Sequence, residues 1–146
     1  MSRIGAFVRL MRPINCVMMG FAVLVGAVLT GVEFLALNWL NIFFGFLTGF
    51  TFCAAAMALN DYYDRKIDAI NEPSRPIPSG LVEANEALLF VFCLAVVGFV
   101  FAFLVSVLCF VVAAASLLIT GTYLTVGKRT GLAGNFLVSA CVAIPF

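Results

Sequence analysis

Asn60, Asp61, Asp64 and Asp68 stand at i, i+1, i+4 and i+8 in the segment NDYYDRKIDAINEPSRPIPSG (60–80), which gathers four acids and three bases in a chain otherwise poor in charge. On a helix, Asn60, Asp64 and Asp68 stack on one face with Asp61 beside them. That face is a wall of oxygen acceptors. Carboxylates one turn apart repel one another unless a cation bridges them, and hard oxygen donors suit Mg²⁺, which completes its shell with water and substrate phosphate. The expected ligand is therefore a Mg²⁺-diphosphate held by Asn60, Asp61, Asp64 and Asp68. The plainer alternative is a solvated interfacial loop whose charges pair within the helix. A shared face at a membrane helix end, where ionisable groups are expensive, favours the metal.

The acids are followed by Arg75-Pro76-Ile77-Pro78-Ser79-Gly80. Two prolines and a glycine stop the helix and predict an extended turn, able to fold back over the acidic face and offer Arg75 to phosphate oxygens. A rigid loop whose arginine only adds positive charge is the competing reading.

The elements that must position these residues are membrane helices. Of 146 residues, 64% are hydrophobic and 10% charged, with a mean hydropathy of +1.19. A soluble domain cannot cover itself with so few polar groups, so the expected class is an all-α polytopic transmembrane bundle. A net charge of +1 gives no reason to expect a nucleic-acid partner. Uncharged runs over 14–32, 40–59 and 87–127 predict spans over approximately 14–37, 40–60, 86–105 and 107–127, with 132–146 opening a fifth and 61–85 forming an aspartate-rich loop. Residues 87–127 form a charge-free run of 41 residues, twice what one span needs, and the turn between its two helices is placed near Ser106. Glu33, Asn38, Trp39 and Asn41 mark the interface between the first two spans.

Four spans place all eight bases on one side: Arg3, Arg9 and Arg12 before the first, Arg65, Lys66 and Arg75 after the second, Lys128 and Arg129 after the fourth. The positive-inside rule then makes the N-terminus and the acidic segment cytoplasmic, in a multi-pass cell-membrane protein. The first span runs on without a small-residue cleavage site and reads as a retained anchor. Cys16, Cys53, Cys93, Cys109 and Cys141 all lie in apolar runs without a C-x-x-C pair or any His, the pattern of small core residues. Gly45 and Gly49 form a G-x-x-x-G read as close helix contact. The end of the chain inside an apolar run is the expectation for part of a longer protein.

N-D-x-x-D-x-x-x-D followed by R-P-x-P-S-G resembles the first aspartate-rich motif of the UbiA superfamily of intramembrane prenyltransferases. Arg12-Pro13-Ile14-Asn15 resembles the start of that family's first helix, and Tyr123 through Lys128-Arg129 to Gly134-Asn135 its fourth-to-fifth helix junction. Within the superfamily the chain looks most like the archaeal digeranylgeranylglyceryl phosphate synthases. Chlorophyll synthases share nearly the same acidic segment but usually lack the RPxNC start.

The resemblance implies a bundle of nine helices, of which this chain supplies the N-terminal half, inactive alone and lacking the partner half with its second aspartate-rich motif. It implies Mg²⁺-dependent transfer of a geranylgeranyl group from a prenyl diphosphate donor, geranylgeranyl diphosphate, to a lipid acceptor, geranylgeranylglyceryl phosphate. Other acceptors of the superfamily, such as chlorophyllide, 4-hydroxybenzoate or another quinone precursor, and haem, stay open. Asp61, Asp64 and Asp68 would be the catalytic metal ligands, with Asn60 as a further ligand or orienting group. Arg75, Lys128 and Arg129 would contact phosphate, and Asn15 and Tyr123 face the headgroup region, where helix capping or interfacial placement serves equally well. A cation-coordinating transporter fragment is the rival of a different class, and it would more naturally carry an acid near mid-membrane, where none is found. Of the 16 Phe residues only a few are expected to line the cavity.

Overall fold

The computed structural model describes residues 2–29 and 38–144, apart from the side chains of Arg129 and Ala133. Among the described residues six α-helices follow one another: α1 (Arg3–Met11), α2 (Pro13–Leu29), α3 (Trp39–Asn71), α4 (Ala84–Val105), α5 (Val107–Thr125) and α6 (Leu132–Ala143), with a 3₁₀ turn over Gly127–Arg129 before α6. Among the described residues three helices, α3, α4 and α5, are long and apolar enough to cross a membrane, and α1 with α2 makes a fourth span if the pair is counted together. The end of the span expected over 14–37, with Glu33, and the last two positions of 132–146 lie outside the described residues.

α1 and α2 are bent by 42° at Arg12. The cause is local. Pro13 disfavours a helical conformation in the residue before it and is itself suited to the first position of a new helix. Arg12 takes the left-handed conformation, with φ 51° and ψ 70°, a choice that costs an L-residue about 1–2 kcal/mol. Ser2 caps α1 by accepting the Gly5 N–H at 3.2 Å. Ala6 and Leu10 are fully buried on one face of α1, packed with Ala55 and Ala58 of α3 and Ala87 and Val91 of α4.

The central element is α3, which touches α1, α2, α4 and α5. Its 33 residues span about 50 Å at about 1.5 Å each, against a hydrocarbon core of about 30 Å. One end must leave the membrane. The acidic segment, expected as a loop over 61–85, is helical as far as Asn71. Small residues along α3 allow close approach of its neighbours. A Cβ at Gly45 would meet Val23 at 3.2 Å, and one at Gly49 would lie 3.3 Å from the Met19 carbonyl oxygen. The G-x-x-x-G is thus the contact with α2.

The long apolar run breaks at Ser106, which is extended and whose hydroxyl accepts the Cys109 N–H at 3.0 Å to start α5. An N-cap serine supplies the stop that Gly or Pro would otherwise give. Gly98 is a point of close approach between α4 and α3, where an added Cβ would lie 2.8 Å from the Phe52 ring and 2.9 Å from the Thr51 hydroxyl. Gly98→Val is therefore expected to cost about 1–3 kcal/mol by overpacking. Heating the detergent-solubilised protein and following loss of the monodisperse peak checks this, and an unchanged midpoint would mean that the two helices can separate there freely.

Candidate functional site

The site is built on the last three turns of α3. As a helix, residues 60–71 keep Asn60, Asp64 and Asp68 on one face with Asp61 adjacent, and Asp61 and Asp68 are buried. Like charges so close need cations, and these arrive from three other parts of the chain. Arg12, at the α1–α2 bend, donates to Asp61 Oδ1 at 2.7 Å. Arg75, in the turn after α3, donates Nη1 to Asp68 Oδ2 at 2.8 Å and to Asp61 Oδ1 at 3.3 Å. Lys128, in the 3₁₀ turn after α5, places Nζ 2.7 Å from both oxygens of Asp64. Asn60 completes the row by donating Nδ2 to Asp64 Oδ2 at 3.0 Å.

Pairing within the helix, the plainer expectation, describes only the flank. Arg65 donates to the Tyr62 carbonyl at 2.7 Å and lies over the Tyr62 ring, 4.3 Å from its centroid. Lys66 is exposed. The acids themselves bind distant cations.

Arg75 is delivered by a compact turn rather than an extended one. Ser79 N–H donates to the Arg75 carbonyl at 2.9 Å, Gly80 N–H to Ile77 at 3.1 Å and Val82 N–H to Pro76 at 3.1 Å. Gly80 has φ 73°, which reverses the chain at no side-chain cost. Pro76 and Val82 are buried beneath it, so the turn has an apolar floor of its own. Arg75 Nε also donates to Glu72 at 3.0 Å. That hydrogen bond, with the guanidinium charge, holds the Glu72 carboxyl below the usual range and raises the pKa of Arg75.

Lys128 owes its place to two glycines. A Cβ at Gly134 would collide with the Gly127 carbonyl oxygen at 2.4 Å, and one at Gly127 would meet Leu137 at 2.9 Å. Their absence of side chains lets α6 fold tightly against the turn, with Gly131 at φ 57° making the reversal. Arg129 lies in the same turn, but its side chain is outside the described residues. Tyr123, one turn earlier on α5, lines a cavity.

That cavity has a volume of about 530 Å³ and runs among α2, α3, α5 and α6. Its wall is mostly apolar, from Met19 and Val23 to Val112 and Val138, with Thr48, Ser116 and Thr120 as sparse hydroxyls. Arg12 and Asn60 stand at the charged end of it. Phe52 is the one phenylalanine among the described lining residues; most others pair with each other, as Phe44 does with Phe101 and Phe99 with Phe110.

The structure thus brings together Asn60, Asp61, Asp64, Asp68, Arg75 and Lys128. It does not bring in Asn15, which is exposed on α2 and makes a long contact from Nδ2 to Met57 Sδ at 3.9 Å. Sequence reading took Arg12 as positive charge and as the start of the Arg12-Pro13-Ile14-Asn15 segment, and gave it no place beside the acids, where the structure puts it. Its signal was the proline after it, which forces the bend that turns its side chain inward.

The donor atoms fit Mg²⁺ in kind, being carboxylate and amide oxygens on one helix face. Among the described residues no three acidic side chains converge on one point, and Arg75 and Lys128 hold the positions beside the carboxylates.

Residues 16–146 match the model of the UbiA prenyltransferase family. The chain is 36% identical over 145 residues to the digeranylgeranylglyceryl phosphate synthase of Methanosarcina mazei, covering 92% of this chain and 50% of that protein. It is 34% identical over 141 residues to the digeranylgeranylglyceryl phosphate synthase of Methanopyrus kandleri, covering 97% and 51%. A solved structure described as concerning digeranylgeranylglyceryl phosphate synthase in membranes superposes with a TM-score of 0.91 at 28% identity, over 99% of this chain and 51% of that one. The chain spans about half the length of the curated relatives it matches. With an all-helical fold, the aspartate-rich face and a family match that covers nearly all of it, this chain belongs to the UbiA prenyltransferase family.

Proposed function

We propose that this chain forms the N-terminal half of a membrane prenyltransferase that moves a geranylgeranyl group from geranylgeranyl diphosphate to the hydroxyl of geranylgeranylglyceryl phosphate, in archaeal ether-lipid synthesis. The observation that carries the reading is an apolar cavity of about 530 Å³ whose charged end holds Arg12 and Asn60, beside the acids and cations of the α3 face. An amphiphile with a long apolar tail and an anionic head fits that arrangement. Similarity to relatives named for this synthesis supports the choice of acceptor.

In this reading the diphosphate of the donor sits at the Asp64–Lys128 end of the row and its chain lies in the cavity. The carbon–oxygen bond to diphosphate breaks, the acceptor hydroxyl oxygen bonds to the allylic carbon, and the hydroxyl proton is released. When bound, Mg²⁺ supplies positive charge to the departing diphosphate. Asp61, Asp64 and Asp68 would hold it, with Asn60 as a further oxygen donor. Lys128 is positioned to contact diphosphate oxygens and stabilise the charge that develops on them. Arg75 keeps Asp61 and Asp68 paired on the helix face. Phe52 and the aliphatic wall exclude water from the allylic carbon as its bond to diphosphate breaks, while the cytoplasm supplies both phosphorylated headgroups at the charged end.

The full-length protein in membranes is expected to release diphosphate from geranylgeranyl diphosphate only with Mg²⁺ and lipid acceptor present. Asp64→Asn should lower kcat by about 100-fold, the scale of losing one preorganised electrostatic contact. Full turnover in Asp64→Ala would remove the metal role from this residue. Lys128→Gln should raise KM for the donor about tenfold, as loss of a charge-assisted contact of about 1.4 kcal/mol requires. Donor titrations at saturating acceptor measure it, and a KM change confined to the acceptor would place the diphosphate elsewhere.

A further inference from the structure

Arg9 has no part in the acid row or the large cavity, yet it is not idle. A second cleft, of about 270 Å³, opens at the charged end and is lined by Arg9, Arg12, Asp61, Glu72, Arg75 and Pro76. Three arginines and two acidic residues line it, so the cleft carries an excess of positive charge. Asp61 is already engaged by Arg12 and Arg75. Glu72 stands on the rim with its side chain 57% exposed. Arg9 donates Nη1 to the Ser74 carbonyl at 3.1 Å, a bond to the backbone of the turn that orients its guanidinium without neutralising it.

Arg12 lines both this cleft and the large apolar cavity. The two spaces therefore meet at Arg12. Neither Asp64 nor Lys128 lines the cleft, so it is separate from the end of the row assigned to the donor diphosphate. A reaction between two phosphorylated lipids needs such a separation, because two multiply charged anions held in one place would repel each other. Guanidinium groups suit phosphate oxygens through paired, directional N–H donors.

We propose that the Arg9–Arg12–Arg75 cleft binds the phosphomonoester headgroup of the lipid acceptor, with its apolar chain passing beside Arg12 into the cavity. Arg9 is the specificity residue of that subsite, since its charge is not shared with a carboxylate of the row. The proposal rests on the transferase reading above and adds to it the place of the second phosphate.

Steady-state kinetics of the full-length protein test it, with geranylgeranyl diphosphate and geranylgeranylglyceryl phosphate varied in turn. Arg9→Gln is expected to raise KM for the acceptor about tenfold, the loss of one charge-assisted contact, while KM for the donor stays unchanged. Arg9→Lys should recover part of the loss. Glycerol 1-phosphate, which has the head without the chain, is expected to compete with the acceptor in the wild type and to do so more weakly in Arg9→Gln. An acceptor KM unaffected by Arg9→Gln, equal rises for donor and acceptor, or glycerol 1-phosphate inhibiting both proteins alike would overturn the proposal and leave the transferase reading standing. Absence of diphosphate release by the wild type would instead remove that reading, and the cleft's assignment with it.

Discussion

One buried carboxylate, Asp61, ties the charged end together. Its side chain is 5% exposed and is held by Arg12 from before the second helix and by Arg75 from after the third. A carboxylate taken from water without partners would be strongly unfavourable, and removing one partner from a buried pair typically costs about 3–5 kcal/mol. Each arginine is therefore fixed by the burial of the same group. Through them the α1–α2 bend, the end of α3 and the turn over 75–80 become one unit.

The bend illustrates how the local and the distant cooperate. Pro13 stops α1 from continuing, and Arg12 accepts a left-handed backbone in consequence. Such a conformation persists when surrounding contacts hold it. Here the holding contacts are Ala6 and Leu10 packed on α3 and α4, and the guanidinium bond to Asp61. The same geometry puts Arg12 at the mouth of the large cavity and in the wall of the smaller cleft. A strained residue thus stands where two spaces meet.

Lys128 reaches the other end of the row by an unrelated route. Two helices and a tight glycine-rich turn carry it to Asp64, 64 positions away in the chain. The result is an alternation of acids and cations along the helix face, with Asp61 and Asp68 bound to arginines and Asp64 to a lysine. Compensation of this kind lets a row of carboxylates persist at the edge of an apolar bundle.

Much of this was legible in the sequence because its signals are local. Hydrophobic run length alone specified membrane helices and a break near Ser106 in the longest run, and the four-residue spacing of Asn60, Asp64 and Asp68 set them on one face wherever the helix continued. Tertiary structure decided whether it continued: burial of Asp61 and Asp68 against arginines keeps 61–71 helical where charge composition alone reads as loop. It also decided that the turn over 75–80 is compact, that Asn15 lies against Met57 rather than in the acid row, and that Arg12 pairs with Asp61. The physical reason is that ion pairing depends on distance in space, and the partners of these acids lie 49, 14, 7 and 64 residues away. Spacing along one helix displays the acids; only the packing of the other helices chooses which cations meet them.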